Sequence, residues 1–414
     1  MTDDSARLLA ITGQPEGVFT VKLGSSGSEI QDFRTIEPIP HVTKSAGLRV
    51  RTAAPRDICP AIVAAWADLE DRALEANAYL SPHFVLPAIR HLDPAAQILI
   101  VLVERDQGST CEIVGVGVFQ LCAATKRFPL RHLVAYRSCH SYLSGLLVDQ
   151  QYAAAVLQTF LDFFCGADTD WHGVEFTERA AEGPLAELLA ITAAGRGLRW
   201  FEYGRIYRAI LVPNEAGEPY LKSQLASRRK DHRRRMRRLS DRGEVNWRMK
   251  HGKELPLTCI DRFIELEHLG WKGQKGTSLR SRSEDERFFR EMIDGFGSCG
   301  RTFFTELCVN DEIIASTSNL ISGNAGFAFK LGWNPDYAKM APGLLNEVEL
   351  IRQAPMLCEA LEYIDSGASQ GSFIEEVWMW RRLLTSGLYA TTTLGRQALA
   401  AIQPIRQFKR WLQK

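Results

Sequence analysis

From Gly47 onward the apolar positions fall into short runs whose period switches between two and three-to-four residues. "GLRVRTA" (47–53) alternates like a strand, and residues 58–74 and 82–92 carry helical spacing. "QILIVLVER" and "EIVGVGVFQL" predict two strands joined by the turn-forming "DQGST". An amphipathic helix over 149–164 and a strand over 200–211 follow. The second half repeats this order. A strand is predicted over 243–252 and helices over 257–270 and 284–296, the latter with Phe288, Phe289, Met292, Ile293 and Phe296 on one face. Three β-runs with tight turns come next: "RTFFTELCVND", "EIIASTSNLISGN" and "AGFAFKLGW". A helix then starts at Pro342 with Leu344, Leu345, Val348 and Ile351 on one side, and "ALEYID" (360–365) reads as a short strand. Each half therefore reads strand, helix pair, antiparallel meander, helix, strand, without sequence identity between the halves. That order predicts an α+β layer architecture.

At 414 residues the chain is too long for one typical core, so two domains are expected, meeting face to face. Residues 1–45 are rich in Gly, Ser and Pro and predict a loosely structured arm. The remaining boundaries are drawn at 46–215, 216–242 and 243–414. A composition of 45% hydrophobic and 24% charged residues is ordinary for a soluble globular protein. The longest aliphatic run, "ILIVLV" (98–103), falls far short of the roughly 18 residues that suggest a membrane span. "MTDDSARLLA" has no apolar core of a secretory leader. Nine scattered cysteines, none in a C-x-x-C pair, read as reduced thiols in a cytoplasmic protein. No His/Cys/carboxylate cluster has zinc spacing, so no metal is expected.

The net charge of +1 conceals an uneven distribution. "LKSQLASRRKDHRRRMRRLSDR" (221–242) holds ten Lys/Arg against two Asp, a local +8 that leaves −7 for the rest. Leu225, His232, Met236 and Leu239 form a narrow apolar stripe, which predicts one amphipathic helix with a basic back. That back either solvates an interdomain helix or contacts phosphates. The aromatic interleaving of single-strand nucleic-acid binders is missing.

Three stretches of the second half occur in a recognisable order: "HLGWKGQKGTSLRS" (268–281), "FAFKLGWNPDYAKMAPGLLNEVEL" (327–350) and "YIDSGASQGSFIEEVWMWRR" (363–382). Together they resemble GNAT-type acyltransferases of the cellulose-biosynthesis-protein-D-like group, relatives of the Fem-type aminoacyl transferases. The resemblance covers about 225–410 well and 47–212 loosely, through "ANAYLSPHF" (76–84). It implies two tandem GNAT-like domains with mixed sheets flanked by helices, the first degenerate and supporting, the second catalytic. Two departures stand out. The Ser of the usual Ser-Pro-Gly helix start is Ala341, and the Tyr-Lys that many members carry after the final Asp strand is replaced by "GSFIEEVW".

The resemblance further implies direct acyl transfer from acyl-CoA, as co-substrate, to an amine, with no metal. A helix N-terminus offers free N–H groups and partial positive charge to a pyrophosphate. Lys339, Ala341, Gly343 and Leu344 are the candidates for that cradle, with Gly343 keeping a Cβ out of the way; otherwise Pro342-Gly343 merely starts a packed helix. For the proton acceptor the candidates are Asp365, Glu347 and Asp336. Asp365 ends an apolar strand at "DSG", and otherwise caps the next helix. Trp271, Lys272, Lys330 and Asp336 are assigned to the substrate pocket. The acceptor is a small-molecule or lipid-linked amine. An aminoacyl-tRNA donor, which would use the basic helix for tRNA, and a non-enzymatic anion-binding module are the alternatives. Leu399, Ile402, Ile405, Phe408 and Leu412 form the stripe of a C-terminal helix that docks on its own domain or touches a membrane surface.

Overall fold

Strands and helices follow the hydrophobic periods closely in the computed structural model, which describes residues 47–107, 110–167, 169–252 and 257–412. The arm expected over 1–45 lies outside the described residues. The first half runs β1 (Leu48–Ala53), α1 (Pro60–Asp71), α2 (Pro82–His91), β2 (Ile98–Gln107), β3 (Thr110–Cys122), β4 (His132–Ala135) and the two-residue β5 (Leu147–Val148). It continues with α3 (Ala153–Phe164), β6 (Gly173–Ala180), α4 (Pro184–Gly195) and β7 (Trp200–Leu211). A connector holds α5 (Glu218–Ser223) and α6 (Arg229–Ser240). The second half runs β8 (Val245–His251), α7 (Leu257–Leu269), the single-turn α8 (Trp271–Gln274), α9 (Ser283–Ser298), β9 (Thr302–Val309), β10 (Glu312–Ser322) and β11 (Ala325–Trp333). Then come α10 (Pro342–Leu357), β12 (Tyr363–Asp365), β13 (Trp380–Ala390) and α11 (Thr393–Leu412).

All these strands belong to one mixed sheet of order β1-β2-β3-β4-β6-β13-β7-β12-β11-β10-β9-β8, with β5 pairing on β3. The order is palindromic. Each half contributes an antiparallel meander that ends in a parallel pair, β4 with β6 and β11 with β12. Each half then lends its last strand to the other. β13 inserts between β6 and β7, and β7 pairs with β12. The halves thus join edge to edge through backbone hydrogen bonds rather than face to face. The cause is this exchange, which fills the edge each half would otherwise leave open.

Aromatic packing reinforces the join. Phe288, Phe289, Met292, Ile293 and Phe296 of α9 are all buried as their spacing predicts. They share one core with Phe84 and Val85 of α2 and with Phe327 and Phe329 of β11. Phe84 meets Phe288 edge-to-face at 5.3 Å. The basic segment is broken where one helix was expected: α5 ends at Ser223, Ala226–Arg228 tighten into a 3-10 turn, and α6 begins at Arg229. Its apolar stripe nevertheless docks, with Leu239 and Met236 packed on Met340 and Leu345 at the start of α10.

Candidate active site

β12 accompanies β11 only over Ala325–Phe327. Beyond that point the two strands part, and a cavity of about 160 Å³ opens between them. Ala328–Leu331 of β11 form one wall and Ser366–Ala368 the other, with Glu347 of α10, Thr317 of β10 and Trp378 completing it. Two local devices shape the opening. The register of β10 against β11 shifts at Ser318/Asn319 and skips Phe329, a bulge that turns both Phe329 and Lys330 towards α9. At the other wall Gly367 has φ +61°, and a Cβ there would lie 2.6 Å from the Ala328 carbonyl oxygen, so the walls close only around a glycine.

Glu347 is 3% exposed. Thr317 Oγ1 donates to its Oε1 at 2.6 Å, and its Oε2 has no partner. Burial pushes the carboxyl up to about 7, opposed only in part by the Thr317 bond. Trp378, fully buried, likewise has an unpartnered Nε1. An orphan acceptor and an orphan donor therefore line one cavity, where buried polar groups are normally satisfied.

Asp365 is placed differently. It accepts from the Gly367 N–H at 2.8 Å and from Arg382 Nη1 at 3.4 Å, with Arg208 Nη1 at 3.8 Å. These contacts make it a counter-ion and turn cap at the strand end. Gly343 is buried, and a Cβ on it would meet Leu331 Cδ2 at 3.1 Å, so what comes close to this helix start is the strand beneath it. Ala341 sits at the helix N-cap in the left-handed region (φ 50°, ψ 62°) and supplies no side-chain cap. Leu344 packs in the core between α10, β7 and β12. Lys339 and Asp336 are exposed on the 3-10 turn Pro335–Met340 that precedes α10. Lys272 donates to Glu267 at 2.9 Å and to the Leu331 carbonyl at 3.0 Å, bracing β11 from outside the cavity. Trp271 carries Lys275 over its ring at 5.1 Å and does not line the cavity either. Of the residues singled out from sequence, Glu347 and Lys330 are the two that line it.

Lys330 reaches across to the first half. Its Nζ donates to His140 Nδ1 at 3.1 Å and to the Tyr142 hydroxyl at 3.2 Å. An ammonium has no acceptor, so Nδ1 accepts, and the imidazole proton sits on Nε2, 3.1 Å from Asp285 Oδ1. Burial, followed by Lys330, pushes His140 down to about 4 and keeps it neutral. Burial opposes the charge on Lys330, but the neighbouring Tyr142 and Glu267 more than offset it and hold the ammonium above the ordinary lysine value. His140 also stacks on Phe288 with ring centroids 5.5 Å apart. Ligand atoms of Cys139, His140 and Asp285 lie within 4.8 Å of one another, a grouping that sequence spacing could not show. The Lys330 and Asp285 hydrogen bonds occupy both His140 nitrogens, so this grouping serves the lysine and has no free imidazole lone pair for a cation.

Sequence reading missed Thr317, Trp378, His140, Tyr142 and Asp285. The signal for the second pair was "SCHSYLSG" (138–145), a dense polar run in the first half. Nothing in one sequence connects it to Lys330, 190 positions away.

Residues 226–372 match the acetyltransferase (GNAT) domain family. No curated protein sequence matches the chain. Among solved structures, a conserved protein of unknown function from Bacteroides thetaiotaomicron VPI-5482 is similar at 12% identity, over 80% of this chain and 97% of that one, with a TM-score of 0.51. FemX is similar at 10% identity, over 86% of this chain and 99% of that one, with a TM-score of 0.53. These likenesses establish the fold. β11, β12 and α10, which frame the cleft, fall within the matched segment, and the fold is that of a GNAT protein.

Proposed function

We propose that this protein is an acyl-CoA-dependent N-acyltransferase whose donor arm lies in the cleft between β11 and β12, with Glu347 as the proton acceptor. The observation that carries the reading is the unpartnered Glu347 Oε2 in that cavity. A carboxyl poised near 7 is suited to general-base work at neutral pH. Where β12 departs, the cavity-side edge of residues 328–331 is free of strand pairing, which suits an extended amide-bearing chain such as pantetheine. In the reaction the Glu347 carboxylate takes the proton of an attacking amine as the C–N bond forms. The carbonyl π pair moves onto oxygen, returns, and expels the thiolate, which takes the proton from Glu347. The site's walls belong to the second half, and His140 and Tyr142 of the first half hold the Lys330 side chain beside them, so the acceptor is expected where the halves meet. A cytoplasmic location and a small or lipid-linked amine acceptor belong to the same reading. Among the described residues no helix is long and apolar enough to cross a membrane.

The test is acetyl-CoA binding by calorimetry, with thiol release measured against a panel of amines. In the parent, kcat should rise with pH through about 7. Glu347→Gln should bind acetyl-CoA while kcat falls by about 10²–10⁴-fold. Unchanged turnover in Glu347→Gln refutes the assignment. A second reading, an aminoacyl-tRNA donor, is favoured by α6. That helix follows Arg228, which pairs with Glu376, carries Leu239 beside the start of α10, and exposes Lys230, Arg233, Arg237 and Arg238. Under this reading RNA binding falls steeply with salt, and acetyl-CoA does not bind.

A further inference from the structure

We propose that Trp247, Asn346 and Thr317 are positioning residues, a one-way hydrogen-bond relay into Glu347 that leaves its Oε2 as the oxygen that takes the proton. The part this plays in turnover rests on the acyl-transfer reading of the cleft. The relay itself is a property of the folded chain and needs no substrate.

Its direction is fixed at the far end. Trp247 on β8 donates from Nε1 to Asn346 Oδ1 at 3.0 Å. An indole N–H can only donate, so the amide oxygen faces Trp247 and the amide nitrogen faces the other way. Asn346 Nδ2 accordingly donates to Thr305 Oγ1 at 2.8 Å and to Thr317 Oγ1 at 3.1 Å. These two threonines stand directly opposite each other on β9 and β10. With an Asn346 proton aimed at its oxygen, the Thr317 hydroxyl turns its own proton to Glu347 Oε1, 2.6 Å away. Asn346 and Glu347 are successive residues, and both reach inward because α10 is buried throughout from Pro342 to Val348. Asn346, Thr305, Thr317 and Glu347 are all buried, so bulk water does not compete for these bonds.

Two consequences follow for the carboxyl. Protonating Oε1 would turn the Thr317 hydroxyl away from its one acceptor among the described residues, whereas Oε2 has no partner to lose. The proton therefore goes to Oε2. The Thr317 bond also favours the carboxylate over the acid. Burial and this bond are what act on Glu347, and no charged side chain among the described residues contributes. Without the relay nothing opposes burial, and the carboxyl titrates higher. A tryptophan on β8, at the end of the sheet, thereby tunes a carboxyl on α10.

The experiment compares Thr317→Val, Thr317→Ser and Trp247→Phe with the parent in the full chain. Circular dichroism and melting curves confirm that each variant is folded. Infrared difference spectra taken across pH follow the protonated carboxyl band, assigned to Glu347 by its loss in Glu347→Gln. Thr317→Val should raise the Glu347 midpoint by about one to two pH units. Trp247→Phe, which frees the amide to turn over, should raise it by less, and Thr317→Ser should keep the parent midpoint. In thiol release from acetyl-CoA with an amine, the kcat profile should move up in pH by the same amount, so that kcat at pH 7 falls by about tenfold or more and recovers above the new midpoint. A merely structural role would lower melting temperature and leave both midpoints in place. An unmoved Glu347 midpoint in folded Thr317→Val overturns the inference, and the proposed function then stands or falls on Glu347→Gln alone. A raised midpoint in a protein inert on acetyl-CoA supports the relay and overturns the CoA reading. A raised midpoint with an unmoved kcat profile overturns the part given to the relay in turnover. Should Thr317→Val fail to fold, Trp247→Phe decides: a raised midpoint supports the relay, and an unmoved one overturns it.

Discussion

Glu347 and Asp365 are both buried carboxylates near the strand divergence, yet their surroundings give them opposite characters. Asp365 is enclosed by Arg208, Arg382 and the Gly367 N–H, so its charge is already spent on structure. Asp365→Asn takes a carboxylate from the buried Arg208 and the half-buried Arg382. It should therefore destabilise the fold by about 3–5 kcal/mol, with kcat of the folded fraction within a few-fold of the parent, as melting curves and active-site-normalised rates will show. Glu347 has no cation beside it and is held up to about 7 by burial. Glu70, buried against Ser81, Ser322 and Arg301, is likewise raised to about 7, burial again being the main cause. For both, the folded state keeps a proton that the unfolded chain loses near its ordinary value. Their contribution to stability is present below about pH 4.5 and is lost as pH rises to about 7. Glu347→Gln mimics the protonated form at every pH. Its melting temperature relative to the parent should be higher at pH 8 than at pH 5; equal differences at the two pH values would contradict the buried-carboxyl account.

The start of α10 is where sequence reading and structure diverge most usefully. Pro342-Gly343 was legible as a helix start needing close approach, but the approaching group is the Leu331 side chain. Since Leu331 also lines the cavity, Gly343 acts on the ligand site through its neighbour. Gly343→Ala gains about 1 kcal/mol of helix propensity and loses about as much to overpacking. Melting temperature should change little, while displaced Leu331 lowers acetyl-CoA affinity several-fold, measurable by calorimetry. Unchanged affinity would confine Gly343 to helix packing. Elements with strong periodicity were readable within a few residues, among them β7, α7, α9 and α10. β6, β13 and α4 were missed for physical reasons. "GVEFTERA" and "WRRLLTSGLYA" mix charged and apolar residues because these central strands carry ion pairs shielded from solvent, such as Arg382 with Glu75 and Asp365. α4 is apolar on most of its faces, with Ile191 fully outward, so it offers little amphipathic contrast. The side chains of α11 beyond residue 402, with the Phe408 stripe, lie outside the described residues.

Taken as one molecule, the two halves cannot be dissected at residue 215. β7 belongs by chain position to the first half and by hydrogen bonding to the second, and β13 reverses the assignment. The half-buried pair Arg382–Glu75 and the buried pair His140–Asp285 cross the same join. Thermal unfolding followed by calorimetry should therefore give one cooperative transition; two resolved transitions would show that the halves are independent units. The exchange was not legible in sequence, because the order of elements in each half is compatible with either half keeping its own last strand. It also sets a schedule during synthesis. β6 leaves the ribosome about 200 residues before β13, its partner, so at roughly 5–20 residues per second its edge waits about 10–40 s. Throughout that interval the nascent chain presents an unpaired strand edge, the kind of surface that holdase chaperones cover. A message truncated before codon 380 would release a polypeptide in which neither half is complete.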